Sequence, residues 1–262
     1  MSQKEVEVLP GIAPWVGGKR YLAARIGAMI DGIHHDCYCE PFVGMGGIFF
    51  RRKQRPGVEV INDWSRDVVN LFRVLKHHND ALREELSCQL YSRWEFERQL
   101  RTNPDDLTDI QRAARFYFLQ RSRFGGMPDS GSFPATAKKS KAIRPDIMRR
   151  FFTKLHDRLA LVTIEHLQYQ DFIARYDRPT TLFYLDPPYY GCENLYGKGL
   201  FDRSDFQRLA GQLKGIKGRF LMSLNDHPEI RETFSEFKID EITTSYSLSA
   251  RKKVTELLIM TP

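Results

Sequence analysis

One segment constrains the fold more than any other: Cys37-Tyr38-Cys39-Glu40-Pro41-Phe42-Val43-Gly44-Met45-Gly46-Gly47-Ile48-Phe49-Phe50. It reads as a short strand that runs into a glycine-rich turn and then into an apolar helix. Glycines there let a backbone approach a ligand with no Cβ in the way, and helix N-terminal amides favour polar or anionic groups. Many α/β proteins use such a turn only to pack strand against helix. The rest of the chain repeats the alternation. Strands are predicted at Asp36–Glu40, Glu59–Asn62, Leu161–Glu165, Thr181–Leu185, Arg219–Leu224, Ile239–Tyr246 and Val254–Met260. Helices are predicted at Tyr21–Met29, Ser65–His77, Asn79–Thr102, Asp109–Gln120, Pro145–Leu159, Arg203–Leu213 and Pro228–Phe234. Short β-rich runs between longer helical ones define an α/β fold. The last two strands have little between them and are expected to form an antiparallel hairpin at the sheet edge.

From Lys76 to Arg144 the strand signal disappears. Helical periodicity gives way to a Gly-, Ser- and Lys-containing loop from Ser122 to Ile143, a length that in compact domains is usually functional or disordered. The expected organisation is one parallel-sheet domain, residues 1–76 and 145–262, interrupted by a helical insertion over 77–144. At 262 residues, with 42% hydrophobic and 28% charged residues, the chain is an ordinary globular protein. A net charge of +7 and a pI near 9.2 raise the odds of a polyanionic partner without proving one. The four cysteines form no CxxC pair and the histidines no H-x-x-x-H, so no metal site is expected. Scattered thiols, no leader-like N-terminus and no long apolar run place the expected compartment in the cytoplasm.

Two further segments carry chemistry. Val58-Glu59-Val60-Ile61-Asn62-Asp63-Trp64 is an apolar run ending in an acid, 17 residues beyond Gly46. An acid at the end of the second strand, about 20 residues past the glycine turn, is placed to bond ribose hydroxyls. Its plainer role is to cap the helix that begins near Ser65. The turn lacks G-x-G-x-x-G and any phosphate-gripping Lys-Ser/Thr, which favours a nucleoside cofactor without pyrophosphate, such as S-adenosylmethionine. Thr181-Leu182-Phe183-Tyr184-Leu185-Asp186-Pro187-Pro188-Tyr189-Tyr190 is the most specific segment. A strand delivers Asp186 at its C-terminal end, two prolines stiffen the turn and remove backbone donors, and an aromatic ring follows. The carboxylate and a proline carbonyl can accept both hydrogens of an exocyclic amine while Tyr189 stacks on the base. The nitrogen lone pair is then free to meet an electrophilic methyl group, by positioning and electrostatics alone. The structural alternative is a tight turn after a buried strand. A strand-end acid is expected to serve chemistry more than packing, so its loss should leave the fold largely intact.

These motifs and their order resemble the Dam-type DNA adenine-N6 methyltransferases, from about Pro14 to the C-terminus. The W-x-G-G-K start is Trp15-Val16-Gly17-Gly18-Lys19, the E/D-P-F-x-G-x-G segment is Glu40 to Gly46, the second-strand acid is Asp63, and D-P-P-Y is Asp186-Pro187-Pro188-Tyr189. The resemblance implies a Rossmann-like methyltransferase sheet, S-adenosylmethionine held by Trp15, Gly17, Lys19, Glu40, Pro41, Phe42, Gly44, Gly46, Asp63 and Asp186, and double-stranded DNA as partner. The target adenine would be flipped from the stack, and a monomer is the default state. On the insertion, Arg121, Arg123, Lys138, Lys139, Lys141 and Arg144, with Arg149, Arg150 and Lys154 beyond it, face only Asp129 and Asp146 in sequence. Such a cluster would neutralise phosphates, or simply solvate a basic loop. Phe124 and Met127 would wedge into the stack or anchor the loop. One departure stands out: Leu119 to Gly126 resembles L-N-R-x-x-Y/F-N-G, but the second Asn is Gly125, so recognition of GATC does not carry over and specificity has room to relax. Cytosine N4, an RNA base or a protein glutamine amide presents the same sp² nitrogen and remains a rival substrate. An inactive DNA-binding relative and a dinucleotide oxidoreductase are the other competing readings.

Overall fold

A computed structural model describes residues 3–15, 17, 19, 21–123, 133, 145–193, 199–246 and 252–261. After a two-residue strand β1 (Lys4–Glu5) come α1 (Ala23–Asp31), β2 (Cys37–Glu40), β3 (Gln54–Arg55), β4 (Val58–Asn62) and α2 (Arg66–His77). Three more helices follow, α3 (Asn79–Ser87), α4 (Arg93–Arg101) and α5 (Asp109–Ser122), then α6 (Pro145–Leu159) and β5 (Thr163–Glu165). The chain ends with α7 (Tyr169–Tyr176), β6 (Thr181–Leu185), α8 (Arg203–Lys214), β7 (Arg219–Asn225), α9 (Pro228–Thr233), β8 (Lys238–Tyr246) and β9 (Lys252–Met260). β1 pairs with β3 in a small ribbon, and the other seven strands form one sheet in the order β5-β4-β2-β6-β7-β9-β8. Neighbours from β5 to β7 are parallel, whereas β9 is antiparallel to both β7 and β8. This is a Rossmann-like, mostly parallel sheet with an antiparallel edge. The expected antiparallel hairpin, β8 with β9, closes one edge of the sheet, β8 outermost. β9 runs antiparallel between β7 and β8, where Leu257, Leu258 and Ile259 are buried.

Side chains of a strand alternate between faces, and here each face has its own core. Tyr38, Leu182, Tyr184, Leu221 and Leu258 join one cluster with α1, α2, α5 and α6. Phe183, Leu185, Phe220, Met222, Leu257 and Ile259 join the other with α7, α8 and α9. The helices between residues 79 and 122 do not stand apart: Leu82, Leu86, Phe96, Ala113 and Phe118 belong to the first cluster, continuous with the sheet.

Three local expectations are corrected. Asn79–Thr102 is two helices, because Ser92 caps a new start, its hydroxyl accepting from the Glu95 amide at 3.1 Å. The apolar helix after the glycine turn is only one 3-10 turn, Phe49–Arg51, since Arg52 leaves in extended conformation and is buried against Tyr38 and Glu59. α7 is a helix beyond those predicted above, and Tyr169, Phe172, Ile173 and Tyr176 have the helical spacing that accounts for it. Among the described residues, no helix is long and apolar enough to cross a membrane.

Candidate active site

In this sheet the chain order reverses between β2 and β6, and in open α/β sheets such a switch point opens a crevice beyond the strand ends. Glu40, Asp63 and Asp186 lie at the C-terminal ends of β2, β4 and β6. A cavity of about 1010 Å³ spans them, lined also by Trp15, Lys19, Phe42, Arg121, Tyr169 and Phe201. It is at the upper end of ordinary ligand pockets, with room for more than one group.

The glycine turn is shaped by two left-handed residues, Gly44 (φ 49°) and Gly46 (φ 68°). A Cβ on Gly44 would stand 2.9 Å from the Trp15 indole nitrogen, so this glycine lets the indole close over the turn. Trp15 is braced edge-on by Phe116 of α5. Gly46 makes room for the Phe50 ring, which a Cβ there would meet at 2.4 Å. Asp63 ties the turn to the next helix: one carboxylate oxygen accepts from Gly44 N–H at 2.9 Å and the other from Ser65 N–H at 2.8 Å. Asp63 does not cap α2, whose N-cap is Ser65; it braces the backbone of that residue and of the glycine turn from the cavity wall. Burial pushes the Asp63 carboxyl up to about 6, despite those two amides.

Glu40 is 2% exposed and receives the Tyr38 hydroxyl at 2.7 Å. Burial pushes its carboxyl up to about 8, against the pull of Tyr38 and Arg52. Beneath it, the Arg52 guanidinium lies 3.5 Å from the centre of the Tyr38 ring and pairs with Glu59. Arg158 of α6 completes the chain with a bidentate pair to Glu59 at 2.6 and 2.7 Å.

Asp186 is 24% exposed, in the cavity wall. Lys19 Nζ meets its Oδ1 at 2.6 Å, the Ser223 hydroxyl donates to the same oxygen at 3.0 Å, and among the described residues no donor engages Oδ2. Burial raises the Asp186 carboxyl and Lys19 opposes this. Lys19 also donates to the Tyr189 hydroxyl at 2.6 Å and to the Gly17 carbonyl at 3.1 Å. Pro187 and Pro188 are buried. Behind the turn, the Asn225 amide grips Tyr190 through both its backbone N–H (2.9 Å) and its carbonyl (3.1 Å).

Of the residues singled out in sequence, Trp15, Lys19, Glu40, Pro41, Phe42, Gly44, Asp63, Asp186, Pro188 and Arg121 share the cavity wall. Gly17 and Tyr189 reach it through Lys19. Arg123, expected on phosphates, is instead 7% exposed, with its guanidinium against Gln120 at 3.3 Å. Phe124, Lys138, Lys139, Lys141 and Arg144 lie outside the described residues, as do Gly125 and Met127. Sequence reasoning missed Ser223, Asn225 and Glu256, and the Tyr169–Phe201 wall whose rings pack on Phe42. The available signal for Ser223 was a polar residue inside the apolar run Phe220-Leu221-Met222-Ser223-Leu224, whereas Glu256 follows the mostly polar stretch Lys252-Lys253-Val254-Thr255 and had none.

The strand order and an acid at each of three strand ends, around one large cavity, define a Rossmann-like methyltransferase. The D12 class N6 adenine-specific DNA methyltransferase family matches residues 15–248, and the chain belongs to that family. It is 26% identical to the Type II methyltransferase M1.LlaDCHI of Lactococcus lactis subsp. cremoris, over 99% of this chain and 98% of that protein. It is also 26% identical to the Type II methyltransferase M.CviBI of Paramecium bursaria Chlorella virus NC1A, over 93% and 92% of the two chains. A DNA adenine methylase of Serratia marcescens is 25% identical over 94% and 96%.

Proposed function

We propose that the chain transfers a methyl group from S-adenosylmethionine to the N6 amine of an adenine flipped out of duplex DNA, with Asp186 as the acceptor for an amine hydrogen. The observation that carries this reading is the asymmetry of the Asp186 carboxylate. Lys19 and Ser223 both hold Oδ1, which leaves Oδ2 to accept from the substrate. The Pro187 carbonyl is the second acceptor, since the two prolines bring no N–H of their own to the turn. Holding both hydrogens turns the nitrogen lone pair out of conjugation with the base. As the new N–C bond forms, the nitrogen sheds one proton, and Asp186 is the base beside it.

The donor set suits the cofactor. Gly44 keeps the turn open under Trp15, Asp63 is a hydrogen-bond acceptor for ribose hydroxyls, and Glu40 is an anionic partner for the ammonium of the methionine part. When bound, the cofactor supplies a methyl group on a cationic sulfur. The wall acids Glu40, Asp63 and Asp186 suit a cation, and Phe42, Tyr169 and Phe201 give the adenosine an aromatic wall.

Glu40 makes cofactor binding pH-dependent. Its folded value, about 8, lies above the usual 4.5. Its contribution to stability is therefore fully present below about pH 4.5 and is lost as pH rises towards about 8. Pairing with an ammonium needs the ionised form, so binding expels a proton below that value. Affinity for S-adenosylmethionine is expected to rise by up to about tenfold per unit between about pH 6 and 7. Glu40→Gln should bind more weakly and flatten that slope. Calorimetry in buffers of different ionisation heat measures both quantities, and a pH-independent wild-type affinity would remove Glu40 from the cofactor site.

For DNA, Arg121 at the end of α5 with Lys138, Lys139, Lys141 and Arg144 forms the proposed phosphate-contacting side, with 77–144 as the target-recognition insertion. Lys138→Ala with Lys139→Ala is expected to weaken duplex binding and reduce the slope of log affinity against log salt by roughly 2. An unchanged slope would place the DNA surface elsewhere.

A further inference from the structure

Glu256 is completely buried in the middle of β9, and Ser223 is completely buried in β7. Two such polar groups in an otherwise apolar sheet face are costly unless partnered. In the β7–β9 register Glu256 faces Asn225, so Ser223, Asn225 and Glu256 lie on one face of the sheet, the face that carries Leu221 and Leu258. That face meets Lys19. The ammonium stands 2.6 Å from Asp186 Oδ1 and 4.0 Å from Glu256 Oε2, with the Lys19 side chain only 1% exposed. The Ser223 hydroxyl donates to the same Asp186 oxygen, and the Tyr184 hydroxyl is 2.8 Å from Ser223. One cation is thus shared between two carboxylates, and one serine pins the carboxylate nearer the cavity.

Such buried networks often contribute less stability than an apolar trio of similar volume would. Their arrangement here has a chemical use. A carboxylate that must take an amine hydrogen has to be ionised yet remain a good acceptor. Lys19 alone, at 2.6 Å, secures the first at the expense of the second. A second anion behind the ammonium restores the balance.

We infer that Glu256 and Ser223 are positioning residues acting on Asp186 in opposite senses: Glu256 draws charge of Lys19 away from it, while Ser223 fixes Oδ1 so that Oδ2 faces the amine. The inference rests on Asp186 being the catalytic acceptor. The directions of the electrostatic effects agree, since Glu256 raises the Asp186 carboxyl whereas Lys19 and Ser223 lower it. Glu40 on β2 is the remaining carboxylate of this group and is common to every variant compared.

Two variants test it. Glu256→Gln leaves Lys19 wholly on Asp186, so the acid limb of kcat at saturating cofactor and DNA should move to lower pH, with a reduced plateau. Ser223→Ala removes a donor to the ionised form, so the same limb should move to higher pH. Each shift is expected to be on the order of half a unit to one unit. A purely structural role would not move one limb in two directions. Titration of Asp186 by carboxylate NMR in the cofactor-free protein, assigned with Asp186→Asn, should show the same opposed shifts without any turnover. Binding of S-adenosylhomocysteine should be unchanged in both variants. If Glu256→Gln does not fold, the Ser223→Ala titration decides alone: a rise supports the inference and no shift overturns it. Asp186→Asn with full activity would overturn the catalytic reading itself. An inactive Asp186→Asn with unmoved limbs in both other variants overturns only the roles of Glu256 and Ser223.

Discussion

Asp186→Asn is expected to lower kcat for methyl transfer by about 10²–10³-fold or more, while S-adenosylhomocysteine still binds. The amide keeps the shape of the side chain but loses the charge that orients and polarises the amine. It can also present its NH₂ group where an acceptor is needed. The variant should be less stable as well. Lys19 is 1% exposed and Asp186 Oδ1 is its nearest anion, with Glu256 farther off at 4.0 Å. Removing one member of a buried pair leaves the other uncompensated. The sequence predicts a fold left largely intact by loss of this strand-end acid; the pair with Lys19 gives it a structural role too. Single-turnover kinetics and urea denaturation separate the two effects. Near-normal turnover in a folded Asp186→Asn enzyme would remove Asp186 from the chemistry.

The second large effect is on stability. Glu59 is 3% exposed and is the carboxylate partner of both Arg52 and Arg158, themselves almost wholly buried. Burial draws both guanidinium groups down to about 10, still charged at neutral pH. Glu59→Leu would strand two cations, and a loss of about 3–5 kcal/mol is expected from removing one partner of a buried pair. The damage should reach the site. Arg52 packs on the Tyr38 ring and Tyr38 donates to Glu40, so cofactor affinity should fall in whatever fraction remains folded. Urea denaturation measures the first effect. A loss below about 1 kcal/mol, the range of exposed pairs, would show that water reaches the arginines.

Much of this architecture was legible from local pattern. β6 is bounded as expected because its four apolar residues after Thr181 end at an acid followed by two prolines. α6 begins at Pro145, a residue that tolerates the first turn of a helix but not its interior. Other features depend on partners distant in sequence. The position of β9 between β7 and β8 is a pairing choice that strand composition does not encode. The end of the apolar helix after Phe50 follows from the place Arg52 must take beneath Tyr38. Ser223 is recognisable as a polar interruption of an apolar strand and Glu256 is not, and only the register of β7 and β9 brings them to Lys19. At Gly46 the packing alternative for the glycine turn is visible, since a Cβ there would meet the Phe50 ring of the same segment, a contact that the spacing of the glycines does not reveal.

The central claim is tested most directly by incubating the full chain with methyl-labelled S-adenosylmethionine and unmethylated duplex DNA, then digesting the product to nucleosides. The expected result is label in N6-methyladenine, abolished by Asp186→Asn and absent when S-adenosylhomocysteine is in excess. Label in N4-methylcytosine, or no label in DNA from a protein that binds the cofactor, would contradict the account.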